Sequence, residues 1–244
     1  MWGKMVPIIR SEWLKLRRSK VWLLLFFSPL LAGLIGATAS MTPDVDPWVF
    51  LQATVFYTHA LLFLPLLTGV FSAFVCRYEH IHGGWKQLLA MPVHRSGVYL
   101  VKLLAVMGLL AVVQLLTVVS LLAAGMIEGV ETPFPWGAVL LHVAAGWAAC
   151  LPLAALQLAV STAWASFAAP LSVNVIFTLP NMLVANSNDY GPFYPWAQPV
   201  LAMLPDRLGA GTFLVPTDTL LAVVLGSFAV FLAGGLLYFT RRTI

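Results

Sequence analysis

The stretch VYLVKLLAVMGLLAVVQLLTVVSLLAAG, residues 98–125, carries a single charged side chain, Lys102, close to its start. A helix crosses the hydrocarbon of a bilayer in about 20 predominantly apolar residues, so this stretch reads as a membrane span. Outward from it, comparable runs lie at about Val21–Ser40, Trp48–Cys76, Gly137–Val160, Trp164–Ala185 and Asp218–Thr240. The expected fold is therefore an all-α membrane protein with six transmembrane helices. The spans at 48–76 and 98–125 exceed the minimum; at 1.5 Å per residue the former reaches roughly 43 Å, so this pair is expected to project beyond the bilayer.

Composition agrees. Of 244 residues 61% are hydrophobic and 9% charged, against roughly a quarter charged in soluble domains. The net charge of +4 would suggest nucleic acid in a soluble protein. Here the cations flank spans and no basic patch interleaved with aromatics exists, so no nucleic-acid partner is expected and the bilayer is the natural one.

Charge also orients the chain. Lys4, Arg10, Lys15, Arg17, Arg18 and Lys20 precede the first span, Arg77, Lys86, Arg95 and Lys102 lie between the second and third, and Arg241 and Arg242 follow the sixth. The opposite loops hold Asp44, Asp46, Glu128, Glu131, Asp189, Asp206 and Asp218, with Arg207 as their one cation. Because Lys and Arg concentrate on the cytoplasmic side, both termini are expected there. The apolar run from Val21 is long and no A-x-A-like site follows it, so it is expected to remain as a span rather than a cleaved signal. Cys76 and Cys150 fall at different depths, which argues against a disulfide.

Residues 1–20 form a segment of their own, followed by a six-span region over 21–244. Trp2, Val6, Ile9, Trp13 and Leu16 recur at helical spacing, opposite Lys4, Arg10, Ser11, Lys15 and Arg18. One reading is an amphipathic helix on the cytoplasmic surface, anchored by Trp2, Arg10, Trp13, Lys15, Arg17 and Arg18; the other is a plain extension of the first span. In the external loop 186–217, Tyr194–Leu204 is apolar but too short to span, and either a re-entrant or interfacial helix or a structured loop fits it.

The chain contains no G-x-x-x-x-G-K-[ST], H-E-x-x-H, C-x-x-C or G-x-S-x-G, which leaves nucleotide hydrolysis, metalloprotease, redox and hydrolase chemistry without a motif. No catalytic residue and no metal site is expected. His80 and His82 beside Glu79 lack further ligands and read as a solvated cluster. Lys102 is near enough to an end to snorkel toward water. With no ionisable group deep in a span, a proton- or sodium-coupled carrier is disfavoured. Neutral polar residues concentrate in the fifth span, where Asn174, Thr178 and Asn181 share one helical face; with Gln157 they are candidates for lining a pathway or subunit interface, or simply hydrogen-bond between helices.

The cytoplasmic loop 77–97 holds the remaining candidates. Gly83 and Gly84 break the helix before it, Trp85, Leu88 and Leu89 stand at i, i+3 and i+4 of a short turn, and Pro92 ends that turn. Nothing in this chain is expected to cover this apolar face, so it is expected either to dock on a soluble partner, with Glu79, Lys86 and Arg95 at its rim, or to rest in the membrane interface.

An acidic Glu79 after the second span, a glycine break, Trp85-Lys86-Gln87-Leu88-Leu89, then Met91-Pro92-Val93-His94-Arg95 and Tyr99 with Lys102, resembles the ABC-2 type permeases of bacterial ATP-driven exporters. The basic N-terminal helix, six spans, short turn between spans four and five, and Pro-rich external segment are similar as well. Within that family the chain resembles permeases that protect bacteria against lantibiotics and other peptide antibiotics. The resemblance implies a multi-pass protein of the bacterial cytoplasmic membrane. It implies a separate soluble ABC ATPase that carries ATP and Mg, a second permease chain, identical or homologous, and export of an amphiphilic substrate. It also implies that residues 79–95 form a coupling helix for that ATPase, with Glu79, Trp85, Lys86, Leu88, Leu89, Pro92 and Arg95 as its residues. The second cytoplasmic turn, Ser161–Ala163, carries no charge for such a contact. Two rivals stand beside this reading: a secondary transporter or channel without an ATPase, and a membrane scaffold that recruits a soluble enzyme.

Overall fold

The computed structural model describes residues 2–42, 44–81, 83–90, 93–204 and 216–241, with backbone alone for 2–5 and 89. Pro92, His82, Asp206, Arg207 and Arg242, and the side chains of Trp2 and Leu89, lie outside the described residues. The described elements are helical: α1 (Trp2–Arg17), α2 (Val21–Thr38), α3 (Pro47–Thr58), a π-helical turn (His59–Phe63), α4 (Leu64–His80), α5 (Gly84–Ala90), α6 (Arg95–Ile127), α7 (Trp136–Ala149), α8 (Leu151–Ala163), α9 (Ala168–Thr178), α10 (Asn181–Val184), α11 (Gln198–Met203) and α12 (Thr217–Arg241).

Among the described residues five helices are long and apolar enough to cross a membrane: Val21–Thr38, Pro47–His80, Arg95–Ile127, Trp136–Ala163 and Thr217–Arg241. The expected fifth span is shorter and interrupted. Its apolar helix covers Ala168–Val184, broken after Thr178 because Pro180 offers no N–H to the turn before it. Trp164 to Phe167 lie outside the helix altogether.

Local chemistry sets the ends. Asp46 caps α3 by accepting from the N–H groups of Trp48 and Val49, with Pro47 in the first turn, a favoured pairing at a helix start. α6 ends on Gly129 at φ +70°, with the Val130 N–H reaching the Gly125 carbonyl and the Gly129 N–H reaching Met126. This left-handed residue turns the chain back and satisfies carbonyls the helix leaves open. Pro152 separates α7 from α8, though the two continue one crossing.

α6 is the central post. It packs along α2, α4 and α7 and touches α1, α3, α8 and α12, while α12 lies mainly on α8 and α4 on α8. A buried polar node joins the middle of the bundle. His59 Nδ1 pairs with Ser28 Oγ at 2.6 Å and His59 Nε2 with Gln114 Oε1 at 3.1 Å; Gln114 Nε2 donates on to the Val143 carbonyl and Met203 Sδ. These groups tie α2, the π-turn, α6, α7 and α11 together.

α11 is a six-residue helix rather than the longer apolar helix suggested by Tyr194–Leu204. It is buried through Gln198, Pro199, Val200 and Met203 and packs chiefly on α7. Met203 reaches Gln114 of α6, so α11 folds into the bundle instead of lying over it.

Candidate coupling site

The helix break that the glycines promised is present. Gly83 takes φ +70°, conformational space that favours glycine, and its carbonyl receives the Lys86 N–H at the start of α5. This turn folds α5 back against the bundle.

The apolar face of α5 is not open. Trp85 is only 6% exposed. Its ring meets Phe239 of α12 edge-on at 5.2 Å, and its indole N–H donates to His80 Nδ1 at 3.2 Å. Leu88 is half-buried and joins the same core. The expectation of an uncovered docking face fails for Trp85 because α12, the last helix in the chain, supplies the cover. The exposed side chains of α5 are Lys86 and Gln87, together with Ala90.

Lys102 does not snorkel. It is 0% exposed, with its ammonium 5.6 Å from the centre of the Trp85 ring, within the range of a cation–π contact. Nζ donates to Glu79 Oε2 at 2.8 Å, to both oxygens of Glu12 at 3.3 Å and to the Val75 carbonyl. Lys15 completes the set, 2.7 Å from Glu12 Oε1 and paired with Glu79 Oε1. Two carboxylates and two ammonium groups thus form a neutral cluster, which is how charge survives burial. Lys15, expected as a surface anchor, is turned inward.

The cluster joins α1, α4 and α6, and through Trp85 it touches α5 and α12. Nearby, Arg95 Nη1 donates to the Thr240 carbonyl at 3.1 Å and the Tyr99 hydroxyl to the Ala155 carbonyl of α8 at 3.1 Å. His80 Nε2 meets the Ser161 carbonyl at 2.8 Å. Since Nδ1 accepts from Trp85, these bonds fit a neutral imidazole with its proton on Nε2. The described residues contain no group of His, Cys, Asp and Glu side chains arranged to hold a metal.

α1 meets the bundle through Ile8, Glu12 and Leu16, which are buried. Val6, Ile9 and Trp13 are exposed on its outer side, as are Arg10, Arg17 and Arg18. Leu16 therefore belongs to the protein face and not to the outer stripe. Glu12 escaped the sequence reading; its signal was the four-residue spacing from Ile8 and to Leu16, with Lys15 one turn on.

The polar residues of the fifth apolar segment are brought together, but inside the chain. Gln157, Asn174, Thr178 and Asn181 are all buried. Asn174 Nδ2 donates to the Pro65 and Leu66 carbonyls, while its Oδ1 accepts from Gln157 Nε2 and Trp196 Nε1. Asn181 Nδ2 donates to the Leu61 carbonyl at 2.6 Å and to the Trp196 carbonyl at 2.9 Å. In an α-helical register the donor to Leu61 would be residue 65, a proline without an N–H. A path or subunit interface needs exposed groups, and in the single chain these four face inward; Ser172, Val175, Ile176 and Leu179 face out.

A bundle of apolar helices long enough to cross a membrane, with an ion cluster joining them at one end and a short helix folded against it, is the architecture of a multi-pass membrane protein. The chain belongs to the ABC-2 family: the family model described as ABC-2 family transporter protein matches residues 8–181, from α1 to the first residue of α10. A search of curated proteins finds no match to the chain. Membership makes it a multi-pass membrane protein and the membrane-embedded part of a transporter that works with an ATPase.

Proposed function

We propose that the chain is the permease subunit of an ATP-driven exporter, and that α5 is the element through which a separate soluble ATPase, carrying ATP and Mg, moves the bundle. The observation that carries this is Trp85, wedged between Phe239 and Lys102. A push on α5 reaches α12 directly, and α1, α4 and α6 through the ion cluster. Lys86 and Gln87 supply the surface for the ATPase, with Glu79 and Arg95 acting behind it; Leu88 seats the helix. Leu89 and Pro92 complete the loop in this proposal.

In the same reading the basic end of the bundle, with both termini, is cytoplasmic, in a bacterial cytoplasmic membrane. The short helix at Ala168–Val184, extended by Trp164–Phe167, makes the fifth of six crossings, and α11 is re-entrant. The outer face of α9, not Asn174, Thr178, Asn181 and Gln157, meets a second permease chain. Those four hold the helix in place from within. The exported molecule is an amphiphile drawn from the membrane, and the likeness to immunity permeases favours a peptide antibiotic such as a lantibiotic.

The test is Trp85→Ala in the purified complex with its ATPase. The complex should still assemble, since the exposed residues of α5 are intact, but substrate-stimulated ATP hydrolysis should fall by about tenfold or more, as coupling energies of this kind imply. Unchanged stimulation removes α5 as the coupling element. Transport by the chain alone in proteoliposomes, without any ATPase, removes the exporter reading.

A further inference from the structure

At the same end of the bundle a cavity of about 130 Å³ opens between α4 and the turn from α8 to α9, walled among others by Arg77, His80, Ser161, Ser166, Phe167 and Pro170. A single water needs only about 10–15 Å³ on this measure, so the space suits a polyatomic ligand. Its chemistry is one-sided. Arg77 stacks on the Phe167 ring at 5.7 Å and has no ion-pair partner among the described residues. No carboxylate stands among the walls. Both ring nitrogens of His80 are already spent on Trp85 and Ser161.

Two further features point at an anion. Ser161 is 2% exposed and its hydroxyl has no hydrogen-bond partner, an expensive arrangement unless something in the cavity completes it. α9 begins beside the cavity, and although Pro170, the residue of its first turn on the wall, has no N–H to offer, the positive end of the helix dipole lies on this side. Ser166 is already accepting from the Ala168 N–H, which leaves its hydroxyl hydrogen to donate. Phe167 lines the cavity and is exposed, as aromatics are at headgroup depth.

We infer that this cavity binds a phosphate group, held by Arg77 and the Ser161 and Ser166 hydroxyls. The group comes from an anionic phospholipid headgroup or from free phosphate. A guanidinium fixed by an aromatic ring offers a paired-donor fork to phosphate oxygens, and neutral hydroxyls add donors without competing charge. The site is independent of the ATPase reading and lies on the turn that had no charge of its own; Arg77 brings that charge from α4.

The full chain in detergent, stripped of lipid, would be titrated by native mass spectrometry with dioleoylphosphatidylglycerol, dioleoylphosphatidylcholine and inorganic phosphate. Arg77→Gln should weaken phosphatidylglycerol binding by about tenfold, as loss of a charged hydrogen bond implies. Lys86→Gln, an exposed cation elsewhere, should change it by less than about twofold. Ala165→Trp, which fills the mouth from its exposed side, should block binding without touching the core and serves if Arg77→Gln does not fold. Binding of phosphatidylglycerol with this dependence supports the lipid source; inorganic phosphate with this dependence and no lipid binding supports the free ion. Equal affinity for wild type, Arg77→Gln and Ala165→Trp overturns the site.

Discussion

Lys102 shows how much a single side chain can depend on distant ones. From its neighbours it is an ordinary lysine near the end of a span, and snorkelling was a sound expectation. Its fate is decided by Glu12, 90 positions away, and by Glu79, which together make a buried pairing cheaper than the reach to water. Removing one member leaves an uncompensated charge, so Lys102→Met is expected to destabilise the protein by about 3–5 kcal/mol. The exposed Arg10→Gln should cost less than about 0.5 kcal/mol. Thermal unfolding in detergent, followed by tryptophan fluorescence, measures both; equal midpoints would mean the cluster bears no weight. Glu79 and Trp85 were legible as site residues because they stand in a loop with unusual punctuation. Glu12 and Phe239 were not, since each lies in a regular helix with nothing local to mark it.

At the scale of elements, the fifth apolar segment departs furthest from its sequence. Periodicity put Asn174, Thr178 and Asn181 on one face correctly, but which way that face turns depends on what α4 lacks. The π-turn at His59–Phe63 and Pro65 disturb the ladder of the long second crossing; Asn181 meets the Leu61 carbonyl left without its α-helical donor, and Asn174 meets the carbonyls of Pro65 and Leu66 one turn on. Asn181→Ala should cost about 1–2 kcal/mol. Combined with Pro65→Ala, which returns a backbone N–H to the turn, the loss should shrink by about half or more, within the coupling range of residues in contact. Additive losses in that double-mutant cycle would disconnect the proline from the asparagine. The shorter, broken helix was foreshadowed by Pro180, yet apolar content alone could not reveal the break, because content ignores where the backbone hydrogen bonds go.

For the whole molecule, the charge asymmetry at span ends is what sequence conveys best. The structure gathers the ends of α1, α4, α8 and α12 and the start of α6 at one pole through Lys102, Tyr99, His80 and Arg95. Trp48 holds the Thr132 carbonyl at the other pole. The native thiols, Cys76 and Cys150, are free and buried, so introduced cysteines can report sidedness against a quiet background. With a membrane-impermeant maleimide, Glu131→Cys should label in intact cells and Lys86→Cys only after permeabilisation. The reverse pattern would invert the proposed orientation. Five of the six expected crossings match helices long and apolar enough to span, because they follow from runs of like residues. The packing partners of α5 and α11 were not legible, since a short helix takes its place from surfaces built elsewhere in the chain.

The neutral ion cluster also constrains how the protein is made. Glu79 and Lys102 belong to consecutive crossings and are 2.8 Å apart, whereas a lone lysine well inside a span faces an insertion penalty of about 2.5–3.5 kcal/mol. Entering the bilayer as a paired hairpin spares both helices that penalty. Glu12 of α1 shares that lysine, so the cluster is complete only when α1, α4 and α6 have all met.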